Sequence, residues 1–316
     1  MKQYINKILK KWWATSLVFF KIMIPVSIII KILQETNAMP FISQVFEPLM
    51  HPLGLPPEMS LVWVTAMLSN IYGGILALSS IYANNPLTMA QMTTLTTLIL
   101  FAHTLLIEIP ICKKAGAKIL PIFLIRVVGG YVFALILNLI YSSLGAYQNQ
   151  ISIPLLTTND FSLGNWAMLE IRKYIIIALI VFSLIITLDV LERIKVINII
   201  NKLLYPIIKL LGISEKVLPL TLIGMTLGLA YGGGLIITES KQNDISPKDI
   251  FLSLSLLSLF HSIIEDSLLM IGLGASWTGI FLFRFVVSIL AMFIIVKLVN
   301  KLPIKYFMNT SSSKSV

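Results

Sequence analysis

The sequence predicts an all-α polytopic membrane protein made of two inverted-topology repeats. Three observations predict it. The 316 residues are 57% hydrophobic and only 12% charged, whereas a soluble domain is about 25% charged. Matching residues recur at a fixed interval: His103 with His261 (261 − 103 = 158), Glu108 with Asp266, Gly116 with Gly274, Arg126 with Arg284, Pro48 with Pro206 and Gly54 with Gly212. "NIYGGIL" and "LAYGGGLI" match after a one-residue slip. Finally, lysines and arginines cluster in segments that fall on one side of a membrane only if the two repeats are inverted.

These matches divide the chain into a first repeat (1–145), a polar linker (146–165), a second repeat (166–305) and a tail (306–316) expected to be disordered. Each repeat is expected to hold three transmembrane helices, an amphipathic helix and a glycine-broken re-entrant hairpin. An apolar helix opens each (about 12–33; 166–188), followed by the amphipathic "PFISQVFEPLMHPLG" or "NIINKLLYPIIKLLG". The hairpins follow (about 59–83; 217–238), with tips expected at Gly73–Gly74 and Gly232–Gly234. Two apolar helices then close each repeat (about 88–111 and 118–142; 247–271 and 277–299), long enough at about 20 residues to span a bilayer. Thr88 and Ser246 stand where N-caps are expected.

The basic residues select the topology, because they collect on the cytoplasmic side. If the hairpins enter and turn back, the N-terminal lysines, "KKAGAK", the 189–216 stretch and the C-terminal lysines all lie inside. The outer loops 34–57, 143–165 and 272–276 then contain no lysine or arginine, and only Arg172 and Lys173 sit near the outer surface. If instead the glycine-broken stretches crossed fully, Lys113, Lys114 and Lys118 would lie outside. The expected location is therefore the cytoplasmic membrane, multi-pass, with both termini inside. The basic start and apolar run of the N-terminus lack a small-residue cleavage site, so it reads as an uncleaved anchor. The net charge of +10 is spread between apolar stretches and does not indicate nucleic acid. The single cysteine, Cys112, excludes an intrachain disulfide and a thiolate metal cluster.

Ionisable residues inside apolar runs call for an explanation, since each costs about 2.5–3.5 kcal/mol at a bilayer centre. Glu108 and Arg126 are equidistant from Ala117, and Asp266 and Arg284 from Ala275. In an antiparallel helical hairpin such positions share a depth, so two ion pairs are expected, acting as register pins or as moving gates. His103 and His261 lie deeper. His261 and Glu265 are four apart, hence on one helix face. Three readings of this pair stay open: packed hydrogen-bonded histidines, proton coupling or solute contact, and a divalent metal. Two histidines without thiolates are too few to assign a metal set, so none is assigned. The substrate site is expected between the hairpin tips, at Asn70, Tyr72, Gly73 and Gly74 from one half and Tyr231, Gly232, Gly233 and Gly234 from the other. Glu239 serves there either as a ligand or as a surface residue. Half-helix ends at midplane suit a solute or ion.

"LAYGGGLIITE" followed by "SLSLFHSIIEDSLLMIGLGA" resembles the nucleoside-recognition, or Gate, domain of prokaryotic membrane proteins. The resemblance is sharpest from Gly224 to Arg284. Related segments occur in concentrative nucleoside transporters, in the ferrous-iron transporter membrane core and in spore-maturation membrane proteins. It implies a transporter-like core without fixing a substrate. The first half departs from the pattern at Ser80, where Glu239 aligns, and at Ile107, where Glu265 aligns.

No P-loop, H-E-x-x-H or G-x-S-x-G motif is present, so the chain is expected not to be an enzyme. The expectation is a secondary transporter or permease for a small solute, nucleoside-like by resemblance. It would have no cofactor and would run either on an ion gradient, with H+ or Na+ as the coupling ion, or by simple facilitation. A non-transporting membrane scaffold is the alternative. The expected partners are lipid, a small solute and a second copy of the chain, not nucleic acid.

Overall fold

A computed structural model describes residues 2–36, 38–152, 163–242 and 245–309. Every element longer than an isolated bridge among these residues is helical. The first half contains α1 (Lys2–Glu35), α2 (Met39–Met50), α3 (Met59–Leu68), α4 (Ile71–Ile81), α5 (Met89–Phe101), α6 (Leu105–Lys114), α7 (Ile119–Phe123) and α8 (Gly129–Leu144). The second contains α9 (Leu163–Arg193), α10 (Val196–Leu210), α11 (Leu218–Leu227), α12 (Leu229–Gln242), α13 (Pro247–Leu259), α14 (Glu265–Gly272) and α15 (Arg284–Lys301). The element pattern recurs, down to a π-helical stretch at Leu124–Val128 and another at Thr278–Phe283.

Local chemistry accounts for the helix boundaries. Thr88 and Gln91 form a reciprocal capping box at the start of α5. Ser246 caps α13, whose first residue is Pro247, a residue that lacks the N–H a first turn leaves unused. Both N-caps stand where the sequence places them. The amphipathic helices α2 and α10 run into Gly54 (φ 65°) and Gly212 (φ 73°), where the left-handed backbone suits glycine.

Four helical stretches among the described residues are long and apolar enough to cross a membrane: Met89–Lys114, Ile119–Leu144, Gly164–Arg193 and Thr278–Lys301. Their outward faces are lined by exposed apolar residues such as Leu120, Leu139, Leu179, Leu290 and Ile294. A soluble monomer rarely leaves so much apolar surface uncovered, and a bilayer covers it.

The two main apolar cores do not follow the sequence halves. One is built from the first half but includes Leu269, Met270, Leu273, Ala275 and Ile280. The other is built from the second half but includes Phe101, Cys112, Ala115, Ala117 and Ile122. Each half therefore sends its closing helical hairpin into the core of the other.

One expectation needs correction. Residues 306–309 are ordered: Lys118 donates to the Phe307 carbonyl (2.8 Å) and Asn309 donates to the Gly116 carbonyl (2.8 Å). Backbone pairing with the 116–118 loop holds the start of the tail in place; the rest, from residue 310, lies outside the described residues, as does 153–162 of the linker. The linker's first part likewise pairs with the start of α5, Ile151 donating to the Leu87 carbonyl (3.1 Å).

Candidate functional site

The helices expected over 88–111 and 247–271 are both broken, and both breaks fall at the histidines. α5 ends at Phe101 and α6 resumes at Leu105; α13 ends at Leu259 and α14 resumes at Glu265. Thr104 (φ 54°) and Ser262 (φ 50°) turn the chain through left-handed backbone that non-glycine residues seldom adopt. A broken helix leaves carbonyls without intrahelical donors. The two buried arginines supply them. Arg126 donates through Nε to the Phe101 carbonyl (3.0 Å) and through Nη2 to the His103 carbonyl (2.8 Å). Arg284 donates through Nη2 to the His261 carbonyl (3.0 Å). A cation at the negative end of a half-helix is favourable, so each arginine caps a break, a role that sequence reasoning missed.

The hairpins abut these breaks. Thr104 donates its N–H to the Ala66 carbonyl at the end of α3, and Ile263 donates to the Met225 carbonyl in α11, each at 2.9 Å. At the centre, His103 Nε2 and His261 Nε2 lie 3.4 Å apart. Each ring's Nδ1 is tied to its own helix, His103 to the Ile99 carbonyl (2.9 Å) and His261 to the Leu257 carbonyl (2.6 Å). The acids cross over: Glu108 Oε1 is 3.5 Å from His261 Nε2, and Asp266 Oδ2 is 3.7 Å from His103 Nε2. Each half thus aims a carboxylate at the histidine of the other, and all of these side chains are buried.

Glu108 and Arg126 form the ion pair expected from their equal distance to Ala117. Asp266 and Arg284 do not. Asp266 Oδ2 and Arg284 Nε and Nη1 have no hydrogen-bond partner. Aspartate is one methylene shorter than glutamate, and the Arg284 guanidinium sits instead by the rings of Phe260 (5.1 Å) and Phe101 (5.8 Å). The expected one-face pair of His261 and Glu265 is also absent, because the break separates them. Glu265 accepts a hydrogen bond from the Tyr72 hydroxyl (3.3 Å), while Ile107, its counterpart, is exposed.

The glycine runs are not the tips. The chain turns at Ser69–Asn70 and at Gly228 (φ 105°), and Gly73, Gly74 and Gly232–Gly234 lie in the helical arms beyond. Asn70 caps α4, its Oδ1 accepting from the Gly73 N–H (2.9 Å). A β-carbon on Gly74 would stand 2.9 Å from that of Ala66, and one on Gly232 2.5 Å from the Gly224 α-carbon. These glycines let the two arms of each hairpin pack closely. Gly233 faces Ile111 of α6, and Gly234 faces open space. The side chain of Tyr231 lies outside the described residues. Glu239 is half-buried near the far end of α12, about 15 Å along the axis from the turn at about 1.5 Å per residue, and does not join the centre.

The chain is 26% identical over 299 residues, covering 92% of its length and 93% of the relative's, to the uncharacterized membrane protein YvoD of Bacillus subtilis (strain 168). No solved structure matches. The family model for Gate, described as nucleoside recognition, matches residues 16–118, in the half whose motifs depart further from the pattern. Residues 16–118 thus match the Gate, or nucleoside-recognition, family model, and the chain over nearly its whole length is similar to a membrane protein.

Proposed function

We propose that this membrane protein is a secondary transporter for a small solute, with its path through the buried centre where the two hairpins meet the two broken helices. The observation that carries this reading is the meeting of His103 and His261 at 3.4 Å from positions 158 residues apart. Two equivalent groups meeting at one point imply a pseudo-twofold axis through that point, and inverted repeats built on broken helices place transporter sites there. In this reading the repeats are inserted with opposite orientation, each crosses the membrane three times, and the hairpins enter from opposite sides. Both termini are cytoplasmic. Tyr72, in contact with Glu265, is the aromatic group best placed to meet a planar solute, and the family description makes a nucleoside the first solute to try. The close packing of Gly74 and Gly232 in this conformation requires that opening move each hairpin as a unit.

The same packing favours a second reading, a membrane scaffold that does not open. A thermal-shift screen of the purified protein against nucleosides, nucleobases and amino acids separates the two. Stabilisation by one class that is lost in Tyr72→Phe supports a solute site. No shift with any class supports the scaffold.

A further inference from the structure

The two central histidines face each other in a form that cannot satisfy itself. A backbone carbonyl only accepts, so the Nδ1 of each ring, bonded to the Ile99 or Leu257 carbonyl, must carry the proton. The Nε2 atom of each neutral ring is then a bare acceptor, and these two acceptors point at one another across 3.4 Å. Neither can donate to the other. Around them stand two more acceptors, Glu108 Oε1 and the unpartnered Asp266 Oδ2. Three buried lone-pair atoms, from His103, Glu108 and His261, converge, and Asp266 Oδ2 stands beside His103.

We propose that His103, His261 and Glu108 bind one divalent transition-metal ion of the zinc type, with a water as fourth ligand and Asp266, beside His103, as the acceptor that orients it. The spacing suits it. Bonds of about 2.0–2.1 Å in tetrahedral geometry put neighbouring ligand atoms about 3.3–3.4 Å apart. The observed separations are 3.4 Å between the two nitrogens and 3.5 Å from His261 to Glu108. The ligand atoms of His103, Glu108 and His261 all lie within 4.8 Å of one another. The outer contacts suit it too, because metal-binding histidines donate their second N–H to a carbonyl or carboxylate, which fixes the tautomer. Glu108 offers Oε1 while its Oε2 is held by Arg126, so it is already oriented. Two imidazoles and a carboxylate suit zinc, copper, iron or nickel, and three protein ligands completed by a water in tetrahedral geometry are the zinc-type arrangement, with cobalt(II) as its spectroscopic substitute. Arg126 and Arg284 remain engaged with the carbonyl ends of the broken helices.

Occupancy is an equilibrium property and does not depend on solute movement, so this inference and the transport reading fail separately. The test uses the full-length protein in detergent micelles, stripped with chelator and equilibrated with zinc(II) or cobalt(II). The expected result is one ion per chain, with the intense visible absorption of four-coordinate cobalt. His103→Ala and His261→Ala should lose the ion. His51→Ala, the remaining histidine of the three, should keep it. Should the alanine variants fail to fold, Asp266→Asn is close in shape and removes no hydrogen bond made by Oδ2. It should weaken binding about tenfold, the lower end of the effect of a supporting group at a metal site. A native protein that binds no ion overturns the proposal and leaves a shared proton between the rings. Loss of the ion in His51→Ala, or undiminished affinity in Asp266→Asn, overturns it as well.

Discussion

Replacing Arg126 by methionine tests the arrangement at its most heavily loaded point. Arg126 is fully buried and does two things at once: it neutralises Glu108 and it donates to the Phe101 and His103 carbonyls at the break in α5–α6. Removing one partner of a buried ion pair costs about 3–5 kcal/mol. Each buried carbonyl left without its donor costs about 1–3 kcal/mol more. The expected loss is on the order of 5–10 kcal/mol, comparable with the whole stability of about 5–15 kcal/mol of an ordinary domain. Glu108→Leu loses only the pair, about 3–5 kcal/mol. The double variant keeps the orphaned carbonyls but leaves no unpaired charge, so it should be more stable than Arg126→Met alone. Reversible unfolding by SDS in mixed micelles, run on the native chain, the two single variants and the double variant, reads these differences. Additive single costs would refute the pairing, and equal single costs would refute the capping role. The Asp266→Ala and Arg284→Met cycle should show a smaller coupling, because those two side chains are not in ion-pair contact.

Three further outcomes follow from the packing. Gly232→Ala should cost about 1–3 kcal/mol by overpacking, since its β-carbon would meet the Gly224 backbone, whereas Gly234→Ala meets nothing and should stabilise by about 0.5–1 kcal/mol; thermal unfolding of the two variants compares them. Tyr72→Phe removes the hydroxyl that reaches Glu265 and should cost about 1–3 kcal/mol in the same assay. On a Cys112→Ser background, Asn84→Cys and Thr238→Cys should be labelled by an impermeant maleimide from opposite faces of the membrane; labelling from one face would exclude inverted repeats.

The parts of this arrangement that sequence could and could not reveal differ in physical kind. Element positions followed from apolar length and capping residues, so Thr88 and Ser246 mark real helix starts. The Glu108–Arg126 contact followed from counting residues either side of a tight loop, because an antiparallel hairpin maps sequence distance onto depth. The same counting failed for Asp266 and Arg284, where depth agrees but the shorter side chain and the flanking rings of Phe260 and Phe101 decide the contact. The helix breaks were hidden because neither contains glycine or proline. Their available signal was the repeated His-Thr and His-Ser after an apolar run. The glycine runs were visible but misleading: glycine serves equally at a turn and where two helices touch, and here the turns are at Ser69–Asn70 and Gly228. No periodicity argument could have joined His103 to His261, since that contact comes from the packing of one half against the other.

The central claim, that a solute passes through this buried centre, is tested most directly by uptake into proteoliposomes. The protein would be reconstituted and offered labelled nucleosides, nucleobases and amino acids under an inward H+ or Na+ gradient. The account predicts saturable uptake of one class, driven by one of the two gradients. The uptake should be lost in Tyr72→Phe or His261→Ala at normal protein content and fold. Uptake that survives both substitutions, or the absence of uptake for every class with intact protein, would contradict it.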